Sequence, residues 1–337
     1  MKIYFIGIDV SKEKLDLCLY SSGKILKEWI LSNTVSAIKS SFKSLPKEYV
    51  VETSVFLVCA EHTGQYTYPL ACACDELGFD LWLENPAQIK HRSGIKRGSN
   101  DRLAARDIAD YASRFQDKVR LFLLPQKNIA SLRQLVSERD TYVTDKGKFQ
   151  GQLTDQKRFM SDYDYAKKSE RLKSLIESLD EAISGVEQEM EQLIKSDVTL
   201  SNQHALLCSI DGIGKQIAVK MIVETNAFND FDNGRNFCCH AGVAPFCYTS
   251  GTSKHTRYKV SNRADKSIKA LLHMAALVVA TRKKDGELRD YYLRKVAEGK
   301  NKMSVLNAIR AKLVLRMFAV VKNNKQYDKN WNEKKVT

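Results

Sequence analysis

Apolar residues fill Ile3-Tyr-Phe-Ile-Gly-Ile8 almost without a break, and the run ends on Asp9-Val-Ser-Lys12. A continuous apolar run of this length predicts a strand buried on both faces. Leu15, Leu17 and Leu19 then alternate with Asp16, Cys18 and Tyr20, the period of a half-buried strand. Ser21-Ser-Gly23 turns the chain, and Ile25 to Ile30 returns antiparallel. Val35, Ile38, Phe42 and Leu45 recur at helical spacing, and Pro46 closes that segment. A second apolar run, Val55 to Ala60, is a fourth strand ending on Glu61. Gly64 to Leu77 reads as helix, Gly78 breaks it, and Phe79 to Glu84 is a fifth strand. Antiparallel strands followed by alternating helices and strands predict an α/β domain with a ribonuclease-H-like mixed sheet.

The pattern changes after residue 125. From Gln126 to Ser196 the chain is polar and free of Pro. Leu172, Ile176, Leu179, Ile183, Val186, Met190 and Leu193 recur at alternating steps of four and three. This heptad seam predicts a coiled-coil spacer, either a hairpin within the chain or a dimerisation seam. Leu206 to Lys220 predicts helix, Gly212-Ile-Gly214 turn, helix, a helix-hairpin-helix. Helices follow from Lys266 to Thr281 and from Val305 to Val321, and the polar tail from Asn323 is expected to fray. The predicted organisation is an α/β domain at 1–125, a spacer at 126–199, a mainly helical domain at 200–325 and a tail at 326–337.

Charge narrows the function. The 337 residues carry 54 Lys and Arg against 40 Asp and Glu, a net +14. That excess favours a polyanionic partner, nucleic acid above all. The eight cysteines have no paired metal-site spacing and are expected to be reduced and mostly buried. His62 and His240 are read as structural. No signal-peptide pattern precedes Ile3, and the apolar segment around Ala270 to Ala280 is too short to span a bilayer, so a cytoplasmic protein is expected.

Candidate chemistry lies in both halves. Asp9 and Glu61 close two apolar strands, and neighbouring strands lie about 4.7–4.9 Å apart, so the pair suits a shared cation. On the helical segment that follows, Asp101, Ala104, Ala105 and Ile108 share one face, while Asp107 and Asp110 point away as solvated charges. In the second half, Gly212 and Gly214 bring backbone N–H groups to a helix start beside Lys215, which suits a phosphate. Further on, Ser250-Gly-Thr-Ser253-Lys254 and then Arg257, Lys259 and Arg263 crowd hydroxyls and bases into one loop. A serine hydroxyl needs a base or a metal to act as a nucleophile, and the cations suit a phosphate under attack.

Gly7-Ile-Asp9-Val-Ser-Lys12 with Leu15-Asp16, Glu61-His-Thr-Gly64 and Asp101-Arg-Leu-Ala104-Ala-Arg-Asp-Ile-Ala109 resemble the N-terminal motifs of one transposase family. These are the insertion-sequence transposases related to the Piv DNA invertase, the bridge-RNA-guided recombinases. The second half resembles that family's serine domain in its Gly-hydrophobic-x-Pro segment and its Ser-Gly loop. The resemblance implies a RuvC-like domain whose Asp-Glu-Asp-Asp set binds Mg²⁺ through Asp9, Glu61 and Asp101. It also implies a nucleophilic Ser250, with Ser253 as the fallback, so that both halves form one composite site. The implied partners are a structured bridge RNA, donor and target DNA, and further copies of the chain as a dimer or dimer of dimers. Ala104 stands where the family has its fourth carboxylate, and is read as an inactivating replacement, introduced or natural. The last family motif is degraded to Ser261-Asn-Arg263-Ala. A junction-resolving metal nuclease and a non-catalytic nucleic-acid-binding protein are the competing readings.

Overall fold

A computed structural model describes residues 2–49, 51–92, 100–247, 249–250, 254–255, 259–260 and 264–328. The chain folds as two compact units, residues 1–124 and 125–337.

The first unit is built on one sheet. Its strands are β1 (Tyr4–Val10), β2 (Lys14–Ser21), β3 (Lys24–Ser32), β4 (Phe56–Glu61) and β5 (Asp80–Glu84), in spatial order β3-β2-β1-β4-β5. The first three pair antiparallel, and β4 and β5 join parallel to β1. This is the mixed sheet that the strand pattern predicts. Its helices are α1 (Val35–Phe42), α2 (Leu45–Glu48), α3 (Tyr68–Leu77), α4 (Pro86–Arg92) and α5 (Asp101–Arg114).

Strand periodicity assigns the two faces. Ile6, Ile8, Leu15, Leu17 and Leu19 pack with Ile38 and Phe42 of α1 and Leu70 and Ala71 of α3. On the opposite face Phe5, Leu57, Cys59 and Trp82 pack with Ile89 of α4 and Ile108, Tyr111 and Ala112 of α5. Because helices cover both faces, β2 is buried from Leu15 to Leu19 on both faces rather than half-buried: Cys18 packs under Ala105 and Ala109 of α5. Pro46 differs from expectation too, since it opens the short α2 at its second position instead of only closing a helix.

The second unit is helical. It runs α6 (Lys127–Asp155), α7 (Asp162–Ser196), α8 (Val198–Cys208), α9 (Lys215–Glu224) and α10 (Gly234–His240). Among the described residues four two-residue strands follow: β6 (Pro245–Phe246), β7 (Thr249–Ser250), β8 (Lys254–His255) and β9 (Lys259–Val260). The unit ends with α11 (Lys266–Leu277), α12 (Glu287–Ala297) and α13 (Lys302–Lys322). A π-helical turn, Val278–Arg282, extends α11.

Helices α6 and α7 pack against each other as a hairpin, joined by ion pairs Arg139–Glu187 and Lys146–Asp180 and by the Tyr165 hydroxyl on the Leu153 carbonyl. The base of the hairpin belongs to the core. Ile129, Leu132, Val136, Val186, Met190 and Ile194 are buried with the residues of α8, α9 and α13, so the spacer is continuous with the domain that follows. Of the heptad seam, Leu172, Val186 and Met190 are buried and Ile176, Leu179, Ile183 and Leu193 half-buried. The tail is anchored beyond Asn323: Asn202 bonds to Asn324, the Tyr327 amide donates to Ser209 Oγ, and Arg316 stacks on the Tyr327 ring. All eight cysteines are free thiols, and Cys18, Cys59, Cys74 and Cys238 are buried. Among the described residues no helix is long and apolar enough to cross a membrane.

Candidate functional site

The period of two puts Gly7 and Asp9 on the face of β1 that α5 covers. Gly7 makes that cover possible. A Cβ there would lie 2.2 Å from the Ala105 carbonyl oxygen and 2.2 Å from the Ala109 amide nitrogen, far inside van der Waals contact. With glycine below and alanines above, the helix backbone rests directly on the strand. Helix α5 begins at Asp101, where the Asn100 side chain caps it by accepting from the Leu103 amide at 2.8 Å. Two arginines clamp it to β3: Arg106 Nε lies 2.5 Å from Glu28 Oε1, and Arg102 Nε 3.0 Å from Glu28 Oε2. Arg106, with Arg102 behind it, holds the Glu28 carboxyl down at about 2.

Acidic residues form a row along the carboxyl end of β1 and β4. Asp9 stands opposite Asp16 in the β1–β2 register, Ile8 and Ala60 pair just before Asp9 and Glu61, and Glu61 stands opposite Glu84. All four lie on the α5 side. Burial raises the Asp9 carboxyl above its ordinary value, and Asp101 and Asp16 add to the shift. Burial raises Glu61 as well, with Asp9 as the second cause. Glu61 thus feels the Asp9 charge across adjacent strands, whereas the charges that act on Asp9 are Asp101, Asp16 and Lys14. Glu84 is already engaged, accepting from the Tyr111 hydroxyl at 2.9 Å and from the Asn85 amide at 2.7 Å.

Asp101 comes to this row but is held by a lysine. Lys14 Nζ lies 2.7 Å from Asp101 Oδ2 and 3.0 Å from Asp16 Oδ2. The lysine lowers the Asp101 carboxyl, and both carboxylates raise the lysine. Ala104, half-buried, sits one helical turn on and brings no oxygen. A row along a sheet presents donors in a line, about 4.8 Å apart per strand, so a third ligand has to come from above. Among the described residues no three Asp, Glu, His or Cys side chains converge on a point that a metal ion could occupy. The expected Mg²⁺ set of Asp9, Glu61 and Asp101 is thus not assembled by the side chains as they stand.

Lys14 and Asp16 were invisible as site residues in the sequence, where Asp16 reads as the polar side of an alternating strand. Asp110 also departs from expectation: it is half-buried, accepting from the Tyr20 hydroxyl at 3.3 Å and pairing with Arg114 at 2.9 Å. His62 is exposed, with Nδ1 accepting from the Gly64 amide, and His240 packs its ring on Phe231 and Phe237.

In the second unit, Gly212 has φ +85°, and a Cβ there would meet Val279 Cγ1 at 2.4 Å. Gly214 caps α9 with φ −90° and open space around it. Lys215 at the helix start pairs with Glu191 at 2.5 Å, and Lys220 with Asp140 at 3.2 Å, so both cations already have carboxylate partners. Ser250 lies in β7, where its Cα partner in the antiparallel register is Lys254 of β8. Lys259 is exposed in β9, opposite Phe246. Ser253, Arg257 and Arg263 lie outside the described residues.

Comparison with known proteins agrees with both halves. A family model described as "Transposase IS116/IS110/IS902 family" matches residues 204–293. A second, of DEDD transposases of the IS110 kind and described as "Transposase", matches residues 6–159. The chain is thus similar to DEDD transposases of the IS110 kind over its first part and to the IS116/IS110/IS902 transposases over a later segment. It is 24% identical to the "Pilin gene-inverting protein" of Moraxella bovis over 341 aligned positions, covering 98% of this chain and 99% of that protein. The Moraxella lacunata protein of the same name is also 24% identical over the same shares. An IS110 insertion-element protein of Streptomyces coelicolor is 24% identical over 46% of this chain and 38% of its own length. Among solved structures, RuvC of Thermus thermophilus is 15% identical over 35% of this chain and 99% of its own, at a TM-score of 0.28.

Proposed function

We propose that this transposase is a site-specific DNA recombinase that cuts and rejoins DNA through a serine–phosphodiester intermediate. Ser250 Oγ attacks a backbone phosphorus, the deoxyribose oxygen leaves, and a phosphoserine ester conserves the bond until a second DNA end displaces the serine. Lys254 and Lys259, with Arg257 and Arg263, neutralise the phosphate while it carries extra charge. The observation that carries this reading is the strand pairing of Ser250 with Lys254, inside the segment matched by the transposase family model. The inversion named for the Moraxella relatives is the same class of cut-and-rejoin reaction.

In the same reading a structured RNA of the element pairs with donor and target DNA, and copies of the chain assemble as a dimer or dimer of dimers. Sequence reading is then delegated to base pairing, and the net +14 charge serves backbone contact. Gly214 and Lys215 at the start of α9 offer one such contact. The adjacent strand ends that carry Asp9 and Glu61 support giving the first unit a part in the same reaction.

The test is covalent capture. Protein carrying Ala104→Asp, alongside the unaltered chain, is incubated with co-purified RNA, divalent ion and labelled donor and target DNA, then run on a denaturing gel. A protein–DNA adduct that disappears in Ser250→Ala establishes the serine pathway. Cleavage without an adduct assigns the chemistry to the carboxylates, and neither product leaves a binding protein.

A further inference from the structure

The disagreement between the DEDD family and the side chains present here centres on Lys14. A carboxylate row at a strand end needs positive charge, and this chain supplies it from its own β2. The ammonium touches Asp101 on the helix and Asp16 on the sheet at once, at 2.7 and 3.0 Å. Asp101 and Asp16 lie 85 residues apart in sequence and on different layers, so this is a bridge between helix and sheet. It differs from an ordinary surface ion pair in one respect: the Asp16 side chain is only 8% exposed. A buried carboxylate without a partner is costly, so the lysine is held in place by the needs of Asp16 as well as by Asp101. The backbone fixes it further, because Ser11 Oγ donates to the Lys14 carbonyl at 2.8 Å and the Ser11 amide at 3.1 Å.

Ala104 completes the picture. With no carboxylate one turn along α5, no neighbouring helix position competes with Asp101 for a cation, and the Lys14 ammonium serves as its counter-charge. A divalent ion seated on Asp9 and Glu61 would need Asp101 as its third donor, and would meet the lysine charge beside it.

We propose that Lys14 is a built-in counter-cation that occupies the third corner of this carboxylate cluster, so that a divalent ion binds only as the lysine leaves Asp101. The proposal rests on reading Asp9, Glu61 and Asp101 as a cation site, and is independent of the serine step. Lys14 acts through Asp101 and is a positioning residue.

Terbium luminescence and manganese titration calorimetry on the full chain, without DNA or RNA, test it. Lys14→Met is expected to bind either ion about ten-fold more tightly than the unaltered chain, as removal of one nearby positive charge requires. Lys14→Gln keeps a hydrogen-bond donor for Asp16 and is expected to do the same, which guards against misfolding of the methionine variant. Adding Asp101→Asn to either should abolish the gain. Binding that is unchanged or weaker in both lysine variants, or a gain that survives Asp101→Asn, overturns the proposal. A failed serine adduct leaves these titrations untouched, and a failed titration leaves the adduct untouched.

Discussion

Gly7 of β1 lies directly beneath Ala105 of α5, so close that one added methyl group would sit 2.2 Å from the Ala105 carbonyl oxygen. The contact is backbone on backbone, and neither partner has a flexible side chain that can move aside. Gly7→Ala is therefore expected to lift α5 and destabilise the first unit by about 1–3 kcal/mol or more, as overpacking does. Denaturant unfolding followed by near-ultraviolet dichroism measures it.

Glu28 clamps α5 from the other side. Its carboxyl is held at about 2, against an ordinary value of 4.5. A depressed carboxyl adds stability that is present above the ordinary value and is lost as pH falls through the folded one. Glu28→Gln should lower the unfolding temperature at pH 7 by about 2–4 °C, and the difference from the unaltered chain should close between pH 4.5 and pH 2.

Asp9 and Glu61 titrate in the opposite sense. Their raised carboxyls favour the folded state at acid pH, and that contribution is lost as pH rises through their folded values. In chelator at pH 7, Asp9→Asn should therefore be more stable than the unaltered chain, by about 1 kcal/mol on the scale of single stabilising substitutions. The advantage should vanish on acidification below the ordinary carboxyl range. Thermal melts across pH decide it.

The two glycines of the α8–α9 turn should part company. Gly212 combines φ +85° with a 2.4 Å approach to Val279, so Gly212→Ala should cost about 1–3 kcal/mol. Gly214 has ordinary backbone and open space, so Gly214→Ala should fold normally. If that helix start holds a phosphate, Gly214→Ala weakens DNA or RNA binding in a filter assay with no change in melting temperature.

Ala104→Asp adds a side-chain oxygen donor to α5 one turn beyond Asp101. Magnesium should then raise the melting temperature of this variant more than that of the unaltered chain. The gain corresponds to about 2.7 kcal/mol when the ion is at a hundred times its dissociation constant. Differential scanning calorimetry with and without magnesium reads the difference.

The sheet was legible because its period-two pattern is carried by long apolar strands whose ends are marked by Asp9, Glu61 and Gly23. The double covering of β2 was not, because Asp16, Cys18 and Tyr20 look like a solvent face until α5 is laid over them. Helix α12 escaped notice since only Leu288 along it is buried. For the site, Asp9 and Glu61 could be read as a pair from their strand ends alone. The bridge from Lys14 to Asp101 depends on how a distant helix meets the sheet, and local pattern does not encode that. The anchoring of Tyr327 on Ser209 was hidden for the same reason.

The hairpin of α6 and α7 has its lower turns inside the core of the second unit, while its far end is bounded by residues such as Phe159 and Tyr163 that face solvent. The two ends should therefore tolerate change very differently. Heptads removed or inserted near Phe159 alter only reach, whereas a single residue deleted near Leu132 or Met190 rotates every inward side chain above it out of register. Length is a free variable at one end of this rod and a fixed one at the other.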